Sequence, residues 1–360
     1  MTLGELPNIQ DLNDDKTSRR KSLIKLCFRL SVSVLVLLLV LRYVHFKELW
    51  HVLSSISFST AASFFGLHIL SQAISAFKWS LILRETGIRR SFPAVLYAYF
   101  TGMFVNAFAF GTVGGDLARA IAIRPQKGER AKGLATVVAD RIHGLTVLLL
   151  IGLIAIAFVQ PPVLGRHAVL LSVALAFALV IGWWLGPIVV ERIFSKENKL
   201  GNFARQIAGG FAWRPIALTQ ITILSIVFHS IQISMHCLLA REFAAPIPYS
   251  YLFATVPLVN IASSLPISMN GIGVREGLYN FLFSPLGVSS ETSVAFGAVW
   301  ILTVTLVSAL CGLIVSILPL PASLYAHAGE DKVISEITKL QKQTGPENTS
   351  SVKIAITSSR

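Results

Sequence analysis

The sequence predicts an all-α polytopic membrane protein: about six full spans plus two re-entrant helical hairpins arranged as an inverted repeat. Three observations carry this reading. Of 360 residues, 54% are hydrophobic and only 14% are charged, well outside the soluble globular range. Apolar runs long enough to cross a bilayer, about 20 residues each, recur with short basic clusters between them. Two stretches, F-G-T-V-G-G-D-L-A-R at 110–119 and P-I-S-M-N-G-I-G-V-R-E-G at 266–277, bring glycines and charges into apolar surroundings. Non-helical backbone survives at such depth only where protein or a wet cavity surrounds it.

Residues 1–25 form a cytoplasmic N-terminal segment, held there by Arg19, Arg20, Lys21 and Lys25. The first membrane repeat occupies 26–159. It opens with a span at 26–41 and an interfacial helix marked by Phe46, Leu49, Trp50, Leu53 and Ile56 at helical spacing. A second span follows at 60–83, with Lys78 about one turn inside and expected to snorkel to the surface that holds Arg84, Arg89 and Arg90. The stretch 92–118 has basic flanks on both sides, and it is too short to cross twice at about 20 residues per crossing. It is therefore read as a hairpin that enters and leaves on the cytoplasmic side, with its tip near 106–114. Span three runs over 133–159.

An external turn at 160–167 separates the halves. The second, inverted repeat occupies 168–320: span four at 168–190, an interfacial helix through Leu200, Phe203, Ile207 and Phe211, span five at 216–240, a hairpin at 249–285 entering from outside, and span six at 291–318. Residues 321–360 form a polar cytoplasmic tail. An offset of roughly 156 residues maps the first copy onto the second, and three spans per copy is an odd number, so the second copy is upside down. In this register Val105-Asn106 answers Val259-Asn260, Gly114-Gly115 answers Gly271 and Gly273, and Arg119 answers Arg275.

Six charges lie within or at the edge of apolar segments: Asp116, Arg119, Asp140, Arg141, Arg275 and Glu276. Each costs about 2.5 to 3.5 kcal/mol if placed singly at the bilayer centre, so they must pair, face water or sit near the interface. Asp116 and Arg119 are spaced to meet on one helix face. Asp140-Arg141 and Arg275-Glu276 are sequence neighbours, so each residue finds its partner elsewhere. Together with Asn270, Gly271 and Gly273, these six are the candidate substrate-binding residues. Arginine's planar fork suits a phosphodiester, and glycine lets backbone amides approach closely. The alternative reading makes them structural ion pairs that lock the hairpins, with Arg119 and Arg141 as boundary charges that set orientation.

The net charge of +13 is distributed as orienting clusters between spans, which argues against a nucleic-acid partner. Cys27, Cys237 and Cys311 sit in apolar runs and read as small hydrophobes. His143, His229 and His236 are scattered in spans, and with His229 and His236 seven apart and no carboxylate near them, interhelical hydrogen bonding suits them better than metal ligation. No catalytic, metal or cofactor motif occurs.

G-G-D-L-A-R at 114–119, A-D-R-I-H-G-L at 139–145 and P-I-S-M-N-G-I-G-V-R-E-G at 266–277 resemble the lysylphosphatidylglycerol synthase transmembrane-region family, also called flippase-like domain proteins, over about residues 25–320. The resemblance implies a polytopic domain that moves lipids between leaflets. In the multiple peptide resistance factor that domain flips aminoacylated phosphatidylglycerol, and other relatives are linked to hopanoid or polyprenyl-linked sugar pathways. The 360 residues hold no large soluble aminoacyl-transferase domain, so lysine transfer is not expected. The expected function is that of a lipid flippase in the cytoplasmic membrane, with both termini cytoplasmic and an anionic phospholipid or lipid-linked head group as partner. Arg119 and Arg275 would meet the phosphate from the inner and outer sides. The alternatives are an intramembrane transferase with Asp140 or Glu276 as base, or a non-transporting accessory subunit.

Overall fold

The computed structural model describes residues 54–108, 113–123, 129–193, 201, 205, 214–264, 271 and 273–318. Expectations for the first span, both interfacial helices, the two terminal segments and Asn270 fall outside the described residues, wholly or for the most part. Among the described residues every regular element is helical: α1 (Phe58–Glu85), α2 (Phe92–Phe108), α3 (Val113–Ala122), α4 (Arg130–Val159), α5 (Arg166–Ile193), α6 (Pro215–Glu242), α7 (Tyr249–Ser264), α8 (Val274–Phe283) and α9 (Ser290–Ile317), with a 3-10 turn at Ser284–Leu286. Helices α1, α4, α6 and α9 are long and apolar enough to cross a bilayer, and they correspond to spans two, three, five and six. Helix α5 covers the expected fourth span and packs on α4.

Local sequence sets several of these boundaries. The Ser57 hydroxyl accepts the Thr60 N–H to start α1, and the Ser289 hydroxyl accepts the Thr292 N–H to start α9, each satisfying an orphan donor of the first turn. Helix α6 begins with Pro215 at its first position, where the missing N–H costs nothing.

Between the spans lie the two hairpins. Helix α2, 17 residues long, reaches about 25 Å at 1.5 Å per residue, short of the roughly 30 Å hydrocarbon core. Helix α7, with 16 residues, is matched to it. Each is followed in the chain by a ten-residue return helix packed against it, α3 and α8. The first return limb runs on to Ala122 rather than ending at 118, because L-A-R-A-I-A continues the helical pattern past the first basic residue.

The repeat is visible in position and packing together. An offset of 157 residues relates Phe58 to Pro215, Glu85 to Glu242, and Phe92 to Tyr249. Packing obeys the same exchange: α1 lies against α6, α2 against α9 as α7 lies against α4, and α3 against α4 as α8 lies against α9. The equivalent helices α1 and α6 run antiparallel. At one end Glu242 accepts from Ser57 N–H (2.5 Å) and the Thr60 hydroxyl (2.7 Å), at the other Arg214 faces Glu85 (3.8 Å), and midway Gln232 donates to Ser71 (2.8 Å). Two copies whose corresponding helices point in opposite directions are related by inversion of topology.

One correspondence drawn from the sequence does not hold. Asn106 is the counterpart of Ser263, not of Asn260: each is the fifteenth residue of its helix, and each presses against a glycine of the return limb, Gly115 or Gly271. The register slips by three residues if asparagines alone are matched.

Candidate functional site

The site begins with a departure from ordinary amphipathicity. Helix α1 buries His68, Ser71, Gln72, Ser75 and Lys78 while leaving Leu70 and Phe77 exposed. Helix α6 buries Ser225, His229, Gln232 and His236. With spacings of three and four, each set forms one polar stripe, and the two stripes meet where α1 packs on α6. In a bilayer the apolar face belongs outside and the polar face must be satisfied inside.

Five charges converge beside this seam. Asp140 on α4, only 4% exposed, is ion-paired through Oδ1 with Lys78 Nζ at 3.0 Å and accepts a hydrogen bond at Oδ2 from Arg119 Nη1 at 3.0 Å. Asp116, one turn before Arg119 on α3, lies 3.2 Å from Arg119 Nε and receives Arg141 Nε at 2.9 Å on one oxygen and 3.1 Å on the other. The Arg119 Nε contact is off the N–H direction, so it is electrostatic rather than a formed hydrogen bond. The Arg119 guanidinium also lies over two neighbouring rings, 5.0 Å from the Trp79 centroid and 5.3 Å from that of Tyr99. Three cations face two carboxylates, so the chain Lys78, Asp140, Arg119, Asp116, Arg141 carries one unbalanced positive charge.

Lys78 is the residue sequence reasoning placed wrongly. It does not snorkel; at 3% exposure it is a buried partner of Asp140. A carboxylate on span three needing a counter-ion was the one available signal, since no neighbour on α4 supplies it.

A cavity of about 250 Å³ opens onto this network. Asp116, Arg119 and Arg141 contribute charge to its wall, and His68, Gln72, Tyr99, Asn106, Gln232 and Trp300 contribute polar and aromatic groups. Arg141 is the accessible cation, with 39% of its side chain exposed, whereas Arg119 is sealed in. The neutral half of this lining was not singled out from the sequence, because His68, Gln72 and Gln232 have no local partner that marks them as a set.

The second hairpin contributes differently. Arg275, buried at the start of α8, donates through Nη1 to Asn260 Oδ1 (2.7 Å), and its Cζ lies 5.5 Å from the Trp300 ring centroid. Its Nε has no partner, and no carboxylate among the described residues lies within ion-pairing distance. Trp300 explains this. It is the eleventh residue of α9 as Asp140 is of α4, and Met235 stands on α6 where Lys78 stands on α1. Arg119 of the first hairpin meets a carboxylate at this position of α4, and Arg275 of the second meets an indole at the matching position of α9. Glu276 turns away and accepts the Gly273 N–H at 2.6 Å, capping α8, while Gly273 enters that helix with φ +82°. Gly271 is pressed against Ser263. Thus Asp116, Arg119, Asp140 and Arg141 are brought together, whereas Arg275, Glu276, Gly271 and Gly273 belong to the second hairpin and are not part of the cavity's lining.

The three histidines take the interhelical bonds expected of them. His143 bonds Thr222 and Ser225, His229 meets the Gly144 carbonyl, and His236 bonds the Tyr279 hydroxyl. No cluster of metal-ligating residues occurs among the described residues.

Residues 26–312 match the family model for the lysylphosphatidylglycerol synthase TM region. This chain belongs to that family. A UPF0104 membrane protein of Methanothermobacter thermautotrophicus is 25% identical over 295 residues, covering 72% of this chain and 84% of the relative. A second UPF0104 membrane protein, from Pyrococcus horikoshii, is 31% identical over 118 residues, 32% of this chain and 34% of that protein. Family membership and the four bilayer-length helices together make the chain a multi-pass membrane protein, and both relatives are named only as membrane proteins.

Proposed function

We propose that this chain moves a phospholipid or lipid-linked head group between the two leaflets of the cell membrane. The observation that carries the reading is the cavity against the five-residue ionic network with its single surplus positive charge. A phosphodiester carries one negative charge, and on entering it brings the buried set to neutrality. Its oxygens suit the fork of Arg141, whose remaining N–H groups are the accessible donors. At about 250 Å³ the cavity falls below the roughly 300 to 1,000 Å³ of sites that enclose whole small molecules. It accommodates a head group and leaves the acyl chains in the bilayer.

Arg275 supplies a second station. A buried cation with no carboxylate partner among the described residues is costly, and a passing phosphate relieves that cost transiently. Inverted halves that rock about such a pair of stations are the usual geometry of alternating access. The basic flanks of α1 and α2 support a cytoplasmic side for Arg84, Arg89 and Arg90 and hence for both termini.

Full-length protein reconstituted in vesicles with an acyl-labelled fluorescent phosphatidylglycerol tests this. Dithionite should bleach the inner-leaflet label in proteoliposomes and not in empty liposomes. Arg141→Ala should slow that exchange about tenfold, the value of one charge-assisted hydrogen bond of about 1.5 kcal/mol. Equal bleaching with and without protein would remove the reading.

A further inference from the structure

The ionic network beside the cavity contains one cation whose charge can change. Arg119 and Arg141 keep their protons permanently, whereas Lys78 is an amine that can give one up. A proton added to Asp116 or Asp140 would enlarge the surplus positive charge instead of removing it. Lys78 is buried with its ammonium against the bare face of Gly144 on α4, where an added Cβ would lie 3.4 Å from Nζ and 4.0 Å from His229 Nε2 on α6. His143, next to Gly144, stands between two hydroxyls of α6, with Thr222 Oγ1 3.2 Å from Nε2 and Ser225 Oγ 3.1 Å from Nδ1. Hydroxyls both donate and accept, so this ring can receive a proton on one nitrogen and pass one from the other. Both imidazoles lie within electrostatic range of Lys78 and Asp140. The remaining neighbours of α1 bring Arg119 of α3, on the same carboxylate, and the Tyr99 hydroxyl of α2, held by Ser75 one turn before Lys78, while α9 presents the uncharged Trp300. Lys78 and Thr222 each stand seven residues from the helix ends at Glu85 and Pro215, so the relay begins about 10 Å from that membrane face.

We infer that Lys78 is the binding site of a co-transported proton, taken up together with the anionic head group. The reason is charge balance. With the cavity empty and Lys78 neutral, two arginines face two carboxylates. With Lys78 protonated and a phosphodiester bound, the site is neutral again. A proton without the anion, or the anion without a proton, leaves one unbalanced charge inside the protein, which a low-dielectric interior penalises heavily. Only the fully loaded and fully empty states therefore reorient readily, and the two solutes cross together. The second half holds no equivalent group, because Met235 and Trp300 stand where Lys78 and Asp140 do, so the fixed charge of Arg275 is the same in both states. The inference rests on the lipid-transport reading for the identity of the anion, but its first test reads binding and not movement.

Purified full-length protein in weakly buffered detergent solution near neutral pH, with an indicator dye, is titrated with dioctanoyl phosphatidylglycerol, whose diester stays ionised throughout. The wild type should take up about one proton per lipid bound, and its Kd should weaken by up to about tenfold for each unit rise in pH. Lys78→Arg, which places there a cation that keeps its proton, should abolish the uptake, and so should Lys78→Met combined with Asp140→Asn. No proton uptake by the wild type on addition of the lipid, or uptake retained in both variants, overturns the inference even if vesicles show transport. In vesicles carrying the acyl-labelled lipid, a pH difference of one unit should concentrate the label by up to about tenfold in the leaflet on the alkaline side, and a potassium diffusion potential alone should not. Label that equalises whatever the pH difference, or that follows the potential alone, also overturns it. Proton uptake on binding with no movement of label sinks the transport reading alone.

Discussion

At the scale of single residues, the decisive feature is that Asp140 serves two buried cations while its counterpart position holds Trp300. The Asp116–Arg119 contact was legible in the sequence because three residues on a helix is a local geometry. The Lys78–Asp140 pair was not, since it joins α1 to α4 and no periodicity encodes which spans touch. Breaking one partner of a buried ionic set is expensive because the others remain uncompensated, typically about 3 to 5 kcal/mol. Asp140→Asn should therefore destabilise the protein by about that amount, measured as a lowered midpoint in detergent unfolding. The second half shows what the fold tolerates instead: Met235 occupies the place of Lys78 and is fully buried. Lys78→Met combined with Asp140→Asn should accordingly cost less than the sum of the two single changes, a coupling of about 0.5 to 3 kcal/mol in the double-mutant cycle. Additive costs would mean that the 3.0 Å contact carries no net energy.

At the scale of elements, the hairpins were legible in outline from two constraints, length against bilayer thickness and basic flanks on one side. Their closure was not, because it depends on which small residue meets which helix. Each long return span offers a glycine to the first limb of the opposite hairpin: Gly152 to Pro257 on α7 and Gly312 to Phe104 on α2. Both glycines are the twenty-third residue of their helix, α4 and α9. A side chain added at Gly312 would overlap the Phe104 ring, and one added at Gly152 would stand 2.8 Å from Pro257 Cβ. Overpacking of this kind costs about 1 to 3 kcal/mol. Gly312→Leu should lower the thermal midpoint of the purified protein, and adding Phe104→Ala, which vacates the space, should restore most of the loss. Failure of the second change to rescue the first would mean that α2 and α9 are not packed at this point.

At the scale of the whole molecule, counting predicts the inversion: with three expected spans per half, an odd number, the second copy comes out upside down whatever its residues. What counting could not give was the seam, because the polar stripes of α1 and α6 are spread at helical spacing through apolar runs and their hydropathy averages out. The antiparallel pairing of α1 with α6 turns the inversion into a statement about sides. Thr60 at the start of α1 and Glu242 at the end of α6 share a hydrogen bond, and so lie at one membrane face. Glu85 and Arg214 are paired across the opposite ends and so lie at the other. On the proposed orientation the basic flank of α1 faces the cytoplasm, which puts the Glu85 end inside. In intact cells, cysteines replacing Ser57 or Glu242 should therefore react with an impermeant maleimide, and cysteines replacing Glu85 or Arg214 should react only after permeabilisation. The Ser57→Cys and Glu242→Cys pair should also cross-link under oxidation, whereas Ser57→Cys with Arg214→Cys should not. Labelling of Ser57→Cys and Arg214→Cys from the same side would make α1 and α6 parallel, and the two-station path between inverted halves would lose its geometric basis.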